Sequence, residues 1–182
     1  ILHYIENSAK LKSNELLLID AGAEFECYAG DITRTFPVNG KFTTAQAAVY
    51  QIVLNAQKAA IAAVKPGNHW NQPHEAAVEV LTQGLVELGI LNGNVDQLIE
   101  EGAYREFYMH RTGHWLGMDV HDVGDYKVGG EWRLLEPGMV LTVEPGLYIR
   151  DQEHVDKKWH FIGIRIEDDV LVTKDGYEVL TE

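Results

Sequence analysis

The sequence predicts an α+β fold in which strands at both ends of the chain enclose a helical middle. Apolar and β-branched runs between residues 16 and 36 predict a first pair of strands. Apolar residues then recur at helical spacing until about residue 88, and strand patterns return from residue 139. The segments Leu17-Leu-Ile-Asp20-Ala-Gly22 and Leu141-Thr-Val-Glu144-Pro-Gly146 echo each other, because each ends a strand with an acid that a glycine soon follows. This echo indicates two related halves.

The composition is typical of a globular protein, and 182 residues suit one domain over residues 1–182. No apolar run approaches the ~18 residues that cross a membrane, so we expect no membrane partner. The formal net charge of −13 opposes binding to phosphate backbones, so we expect no nucleic-acid partner. The single cysteine, Cys27, cannot form an internal disulfide, which favours a cytoplasmic location. No base stands beside it to activate a thiol nucleophile.

The first two strands predict that two acids meet. The apolar run Leu16–Ile19 is typical of a strand buried on both faces, and it ends at Asp20. In the second strand the period of two places Asp31 on the same face as Thr33 and Thr35. A carboxylate at the end of a buried strand has to be paired or bound to a cation. If the strands pair, Asp20 and Asp31 converge on one point.

Helix signals occupy the middle of the chain. Thr43 and Gln46 form a candidate capping box for a helix that we expect Pro66-Gly67 to end. A second helix is predicted from about Pro73 to Leu88, because proline suits a first helical position. A short third helix is predicted around Val95–Glu101.

Two long strands, Met139–Ile149 and Ile162–Thr173, are predicted in the last part of the chain. The first carries Glu144. In the second, Arg165, Glu167 and Asp169 share one face.

Four acids and one histidine form a candidate metal-binding set: Asp20, Asp31, His114, Glu144 and Glu167. Mixed carboxylate and imidazole ligands suit Mn²⁺, Co²⁺, Fe²⁺ or Zn²⁺ better than Ca²⁺. Four acids exceed the needs of one cation, whereas two cations ~3.5–4 Å apart would use all of them. The alternative is four separate surface acids at strand ends, which the apolar flanks of three of them argue against.

The other histidines leave alternatives open. His110 and His114 stand four apart, but Arg111 occupies the place where a helical zinc motif needs glutamate, and Gly113 disfavours a helix. His121 is either a core histidine satisfied by its neighbour Asp122 or a catalytic residue.

Five segments in order resemble the aminopeptidase P family, the bacterial Xaa-Pro aminopeptidases among the pita-bread metallopeptidases. They are Ile19–Gly22, Gly30–Phe42, His114–Gly124, Glu136–Gly146 and Gly163–Asp169. The resemblance implies a pita-bread (creatinase/aminopeptidase) fold, with a bent, mostly antiparallel sheet, outer helices and two pseudo-symmetric halves. It also implies that the first half is truncated here, without its N-terminal portion and an upstream domain. We therefore expect exposed apolar surface on the outer face of Leu16–Ile19.

The resemblance further implies two divalent metal ions, typically manganese, and a peptide substrate with proline in second place. Asp20 would bind one ion and His114 with Glu144 the other, while Asp31 and Glu167 would bridge them. The expected reaction is hydrolysis of the N-terminal Xaa-Pro bond.

The remaining site residues also follow from the resemblance. Glu144 matches the general base, and His121 and His110 match proton-handling catalytic histidines. His3, Tyr148 and Arg165 match residues of the substrate pocket. Arg111 and Thr112 depart from the bacterial pattern, which leaves details of that pocket open.

Two alternatives remain at this point. A prolidase would share the ligands but cut only dipeptides, and a non-catalytic relative would use the same fold as a binding module. The sequence leaves the metal, the preferred peptide length and a homo-oligomer open.

Overall fold

The computed structural model describes residues 3–181 and follows the predicted order of strands, helices and strands. The N-terminal strands are β1 (Leu16–Ala21), β2 (Glu24–Phe25), β3 (Tyr28–Ala29) and β4 (Ile32–Pro37). The helices are α1 (Thr44–Ala62), α2 (Gln72–Glu87) and α3 (Val95–Glu100). The C-terminal strands are β5 (Lys127–Val128), β6 (Glu131–Trp132), β7 (Val140–Val143), β8 (Gly146–Ile149), β9 (Ile162–Arg165), β10 (Asp168–Val172) and β11 (Tyr177–Val179). Short 3₁₀ helices span Ala103–Glu106 and Lys157–Trp159.

The predicted capping box starts α1. The Gln46 amide donates to Thr43 Oγ1 at 3.2 Å, and the Thr43 amide donates to Gln46 Oε1 at 2.9 Å. These two bonds satisfy amides that a helix N-terminus leaves without partners. The helix ends at Ala62, earlier than the Pro66-Gly67 turn that was expected to stop it. In α2, Pro73 lies in the first turn, as predicted.

The core lies between the helices and the C-terminal strands. The inner faces of α1 and α2 pack on each other through fully buried side chains such as Val53 and Leu81. On its other side α1 contacts β7, β8 and β9. The helices thus cover one face of the strands, and burial of this apolar surface is the main driving force for the arrangement. No helix in the described part of the chain is long and apolar enough to cross a membrane.

All strand pairs in the described residues are antiparallel. In the pair β1–β4, Asp20 lies opposite Thr33. Strands β7, β10 and β11 form a three-stranded sheet, and β8 pairs with β9. An isolated bridge between Thr33 and Glu167 joins the N-terminal pair to the C-terminal strands. This bridge brings the two halves together at the residues predicted to bind metal.

The prediction of two long C-terminal strands is wrong in detail. Each is interrupted, the first at Glu144-Pro145 and the second at Ile166-Glu167. Proline has no amide hydrogen to donate to a neighbouring strand, which explains the first interruption. The second lies at the bridge between the two halves, where Glu167 pairs with Thr33 instead of continuing the ladder. Both interruptions therefore fall at predicted ligands.

The prediction that Leu16–Ile19 is buried on both faces is also wrong. Leu16, Leu17 and Leu18 are half-buried, and Ile19 is 45% exposed. Among the described residues β1 pairs with β4 alone and packs against β9, and its side chains become more exposed towards Ile19. The expected exposed apolar surface is thus present on this strand.

Candidate active site

One cavity of about 430 Å³ holds the predicted site. The five proposed ligands line it together with three histidines and one arginine predicted from the sequence, namely His3, His110, His121 and Arg165. Tyr148 is the exception, because it lies behind the wall of this cavity and is only 3% exposed. Its hydroxyl reaches the site through His110 Nε2 at 2.8 Å and Arg165 Nη1 at 3.1 Å.

A close approach between two backbone segments fixes the positions of Asp20 and Asp31. A Cβ atom on Gly22 would lie 1.6 Å from the carbonyl oxygen of Gly30, so only glycine fits there. This contact holds the end of β1, with Asp20, beside the residue that precedes Asp31.

A second close approach places the histidine loop. A Cβ atom on Gly113 would lie 2.0 Å from the Thr142 carbonyl oxygen. The His114 amide donates to Thr142 Oγ1 at 3.2 Å, and the Thr142 amide donates to the His114 carbonyl at 3.0 Å. The loop is therefore fixed against β7, two residues before Glu144.

The ligand side chains converge although they are distant in the sequence. Atoms of Asp31, His114 and Glu167 lie within 4.8 Å of one another. His114 Nε2 is 3.3 Å from Asp31 Oδ2 and 3.6 Å from Glu144 Oε1. Asp20 joins the cluster through Arg165, whose Nη2 lies 2.5 Å from Asp20 Oδ2.

Crowding of the acids perturbs their protonation. Burial raises the pKa of Glu144 to about 7 and that of Glu167 to about 8, and it also raises the pKa of Asp20. For Asp31 burial acts in the same direction, but the hydrogen bond with His114 lowers its pKa. Burial opposes the charge on His114 as well, yet its bond to Asp31 raises its pKa to about 9.

The residues present fit a pair of divalent cations. Four carboxylates and an imidazole share one partly enclosed volume, and Arg165 is the cation buried among them. Carboxylates placed this close repel one another unless positive charge lies between them. Oxygen and nitrogen donors are those that Mn²⁺, Co²⁺, Fe²⁺ and Zn²⁺ accept.

Arg165 is 2% exposed and ties the site together. Its guanidinium donates to Asp20, to Tyr148 and to Thr33 Oγ1 at 3.2 Å. Burial disfavours its charge, but Tyr148 and Asp20 raise its pKa further above the usual range. Arg165 thus stays charged and holds these three side chains in place.

The two predicted catalytic histidines differ in environment. Burial lowers the pKa of His110 to about 4, so this ring is neutral near pH 7, and its Nδ1 lies 3.9 Å from Glu144 Oε2. His121 is exposed, which rules out the core alternative. Its ring centroid lies 4.2 Å from that of His114.

Sequence reasoning missed several residues that support the ligands. Thr33 Oγ1 donates to Glu167 Oε2 at 2.5 Å, and Asp169 Oδ2 accepts the Asp31 amide at 3.1 Å. Arg34 donates from Nη1 to the Glu167 carbonyl at 2.5 Å. Thr33 and Asp169 each stand two positions from a ligand on the same strand face, and this period of two was the available signal.

A further missed group supports the histidine loop from behind. His74 Nδ1 lies 2.8 Å from Thr112 Oγ1, which is 2.6 Å from the Tyr108 hydroxyl. The Thr112 carbonyl accepts the Glu144 amide at 2.8 Å. Nothing in the spacing of His74, on α2, indicated this contact.

The antiparallel strands, their interruptions at acidic residues and the buried cluster between two halves define the pita-bread class of metallopeptidase folds. The chain belongs to metallopeptidase family M24, whose sequence profile matches residues 1–174. A Xaa-Pro aminopeptidase of Haemophilus influenzae is 56% identical over 181 residues, which are 100% of this chain and 42% of that protein. The family and the fold predicted from the sequence are thereby confirmed.

Solved structures agree with this assignment. The aminopeptidase PepP of Pseudomonas aeruginosa is 64% identical, with a TM-score of 0.98 over 99% of this chain and 41% of that one. A zinc-substituted Escherichia coli aminopeptidase P in complex with product is 53% identical, with a TM-score of 0.95 over 100% of this chain and 41% of that one. The chain thus spans about two fifths of the length of these relatives.

Proposed function

We propose that residues 1–182 form one metal-dependent catalytic domain that hydrolyses the N-terminal Xaa-Pro bond of peptides. The observation that carries this proposal is the cluster of four carboxylates and His114 in a cavity that also presents His3, His110 and His121. The proposed specificity for Xaa-Pro bonds comes from the relatives named Xaa-Pro aminopeptidase, because the geometry alone indicates only metal-dependent hydrolysis.

Two divalent ions, manganese in the first place, are the proposed cofactors. Asp20 would hold one ion, His114 and Glu144 the other, and Asp31 with Glu167 would bridge them. Ions bound there would supply an activated water and would polarise the scissile carbonyl. Cobalt, iron and zinc have the same donor preferences, and a zinc-substituted relative is known.

Glu144 is the proposed general base. This role follows the family resemblance. In the metal-free chain burial raises the pKa of Glu144 to about 7, and the divalent ions that it would bind favour its deprotonated, basic form. His110 Nδ1 lies 3.9 Å from Glu144 Oε2 and donates to the Arg111 carbonyl at 2.8 Å. Nε2 of the neutral ring therefore accepts from the Tyr148 hydroxyl at 2.8 Å. The proposed role of His110 is to pass a proton between Glu144 and Tyr148. His121 would handle protons from the exposed side of the cavity.

The proposed substrate contacts are His3, Arg165 and Tyr148. His3 and Arg165 line the cavity, whereas Tyr148 acts through the two residues that its hydroxyl contacts. The proposed partner is a peptide with proline second, the proposed location is the cytoplasm, and a homo-oligomer fits the proposal. The net charge of −13 argues against nucleic acid.

The test is a peptide assay on metal-loaded protein. We expect two ions per chain by elemental analysis and hydrolysis of a Xaa-Pro-Yaa tripeptide, with highest turnover in Mn²⁺. The matched Xaa-Ala-Yaa tripeptide should be cut far more slowly. Cleavage of Xaa-Pro dipeptides alone would identify a prolidase instead, and no cleavage of either peptide class with both ions bound would contradict the proposed activity of residues 1–182.

A further inference from the structure

A second cationic side chain lines the cavity at its rim, and the site described above leaves it without a role. Arg111 is exposed, whereas Arg165 is buried and paired with Asp20. Among residues 3–181 no carboxylate lies within ion-pair distance of the Arg111 guanidinium. Its positive charge is therefore available to a ligand.

The guanidinium is held in place with most of its donors free. Arg111 Nη2 donates to Asn71 Oδ1, and the guanidinium carbon stacks over the Trp132 ring at 5.3 Å from its centroid. A guanidinium has five N–H donors in a rigid plane. Within the described structure only one has an acceptor, so the outward edge can take both oxygens of a carboxylate.

Aromatic side chains line the cavity beside this charge. Trp70, Tyr126 and Trp132 all face it, and the rings of Trp70 and Tyr126 are 4.7 Å apart. Such a wall provides apolar surface for a proline ring and the residue after it. The cavity therefore combines an apolar wall with a fixed cation at its rim.

The charges that line the cavity determine which peptide groups Arg111 attracts. Asp20, Asp31, Glu144 and Glu167 would repel a peptide carboxylate, but two divalent cations offset these four negative charges. Arg165 lines the same cavity, but its positive charge is already paired with Asp20. Among the residues that the structure describes, Arg111 is then the unpaired positive charge on the cavity wall, and it would attract a peptide carboxylate that lies beyond proline.

We infer that Arg111 forms a subsite for a carboxylate on the leaving portion of the peptide. This inference rests on the proposed function and names its preferred substrates, which carry a negative charge just after proline. The carboxylate is either the C-terminus of a short peptide or an acidic side chain that follows proline. Arg111 is thus a specificity-determining residue of this site.

The experiment measures binding, separately from turnover. Calorimetry on Mn²⁺-loaded protein compares Pro-Ala with Pro-Ala-amide for the C-terminal source, and Pro-Glu-amide with Pro-Gln-amide for the side-chain source. We expect the acid of at least one pair to bind about tenfold more tightly, as a charge-assisted hydrogen bond at a partly exposed site provides. Raising the salt concentration should reduce this preference.

Variants distinguish a subsite from a support for the loop. Arg111→Met should abolish the preference, and Arg111→Lys, which keeps charge but not the planar fork, should retain part of it. Lys127→Met is the matched control, because Lys127 Nζ lies 4.2 Å from the same Trp132 ring but does not line the cavity. It should keep the preference.

Several results would overturn the inference. They are equal affinities of acid and amide for the unmodified chain, no binding of any of the four ligands, or an Arg111→Met variant that weakens acid and amide equally. Absence of Xaa-Pro hydrolysis with the binding preference intact would instead refute the proposed function and leave the carboxylate subsite standing.

Discussion

At the scale of single residues, partial burial raises the pKa values of several acids in the site and so determines at which pH they carry a proton. The Glu144 side chain is 17% exposed and sits between His114 and His110. Its raised pKa of about 7 holds for the metal-free chain, because bound divalent ions would favour the deprotonated carboxylate. The exposed ring of His121 lies against the ring of His114 on the solvent side of the same cluster.

Replacing Glu144 with glutamine tests the role of its charge. Glutamine keeps the size and one oxygen donor but removes the basic carboxylate. We expect turnover of a Xaa-Pro tripeptide to fall at least ~10²-fold with the fold intact, measured by steady-state kinetics and circular dichroism. Glu136→Gln is the matched control, because Glu136 is exposed and also precedes a Pro-Gly pair. Turnover near that of the control would exclude a basic role.

His121→Ala separates proton handling from metal binding. Because His121 is exposed and not a proposed ligand, we expect lower turnover with a metal content close to that of the unmodified protein. Elemental analysis and kinetics at several pH values measure the two effects. His154, an exposed histidine outside the cavity, provides the control variant His154→Ala. Loss of metal in His121→Ala would make this residue a ligand or a structural support.

At the scale of elements, one ion pair joins β4 to β10 beside the ligands. Arg34 Nη2 lies 2.6 Å from Asp168 Oδ1, and Asp168 Oδ2 accepts from Gln57 Nε2 on α1 at 2.6 Å. The same arginine donates to the Glu167 carbonyl. This network links α1, β4 and β10. It holds in place the break between β9 and β10 at which Glu167 lies.

Arg34→Met tests this link. The substitution keeps the stem of the side chain but leaves Asp168 buried with Gln57 and Thr181 as its remaining partners. We expect the free energy of unfolding to fall by about 2 kcal/mol, between the values for exposed and for fully buried pairs, because Arg34 is 31% exposed. Urea unfolding measures it, with the exposed Arg150→Met as control. Equal stability of the two variants would show that the pair contributes little.

Local patterns predicted some elements well and others poorly. The period of two correctly placed Thr33 and Thr35 inward with Asp31, because alternation in a strand needs no knowledge of the rest of the fold. It failed at Pro145, where a missing amide hydrogen ends the ladder inside an otherwise continuous apolar pattern.

The grouping of some site residues was also predictable before the fold was known. The convergence of Asp20, Asp31 and His114 could be expected from strand ends together with family resemblance. Contacts such as His74 with Thr112 depend on how α2 packs against a loop, and no local pattern in one sequence encodes that packing.

At the scale of the whole molecule, the two halves meet at a set of mutually repelling acids. The bridge between Thr33 and Glu167 is one of several contacts between the N-terminal strand pair and the C-terminal strands, and it lies at the acids. Association of the halves therefore buries negative charge, which opposes folding unless protons or cations compensate it.

Stability of the metal-free chain should therefore fall as pH rises from about 6.5 to about 9. Glu144 and Glu167 have folded-state pKa values of about 7 and about 8, above the ordinary 4.5, so the unfolded chain loses these protons first. His114, raised to about 9 from 6.5, acts in the same direction. Below pH 6.5 His74 and His110, with folded-state pKa values lowered to about 4, act in the opposite direction. The net loss of stability therefore falls between about pH 6.5 and about pH 9.

Urea unfolding across this pH range measures the effect, with chelator and with Mn²⁺ in parallel. Metal should reverse the trend, since its ligands bind in their deprotonated forms. A flat pH profile of the metal-free protein, or equal stabilisation by Mn²⁺ at pH 5 and pH 8, would contradict this expectation.

The bridge between Thr33 and Glu167 also has a consequence for the order of events during folding. Its partners are 134 residues apart, and Arg165 and Asp20 are 145 residues apart, so the site requires contacts that form slowly. A newly made chain cannot capture its ions on either half alone, because each half carries only part of the ligand set. Metal uptake should thus be a late step whose rate, followed by stopped-flow mixing, matches the recovery of native tryptophan fluorescence rather than the faster formation of helices.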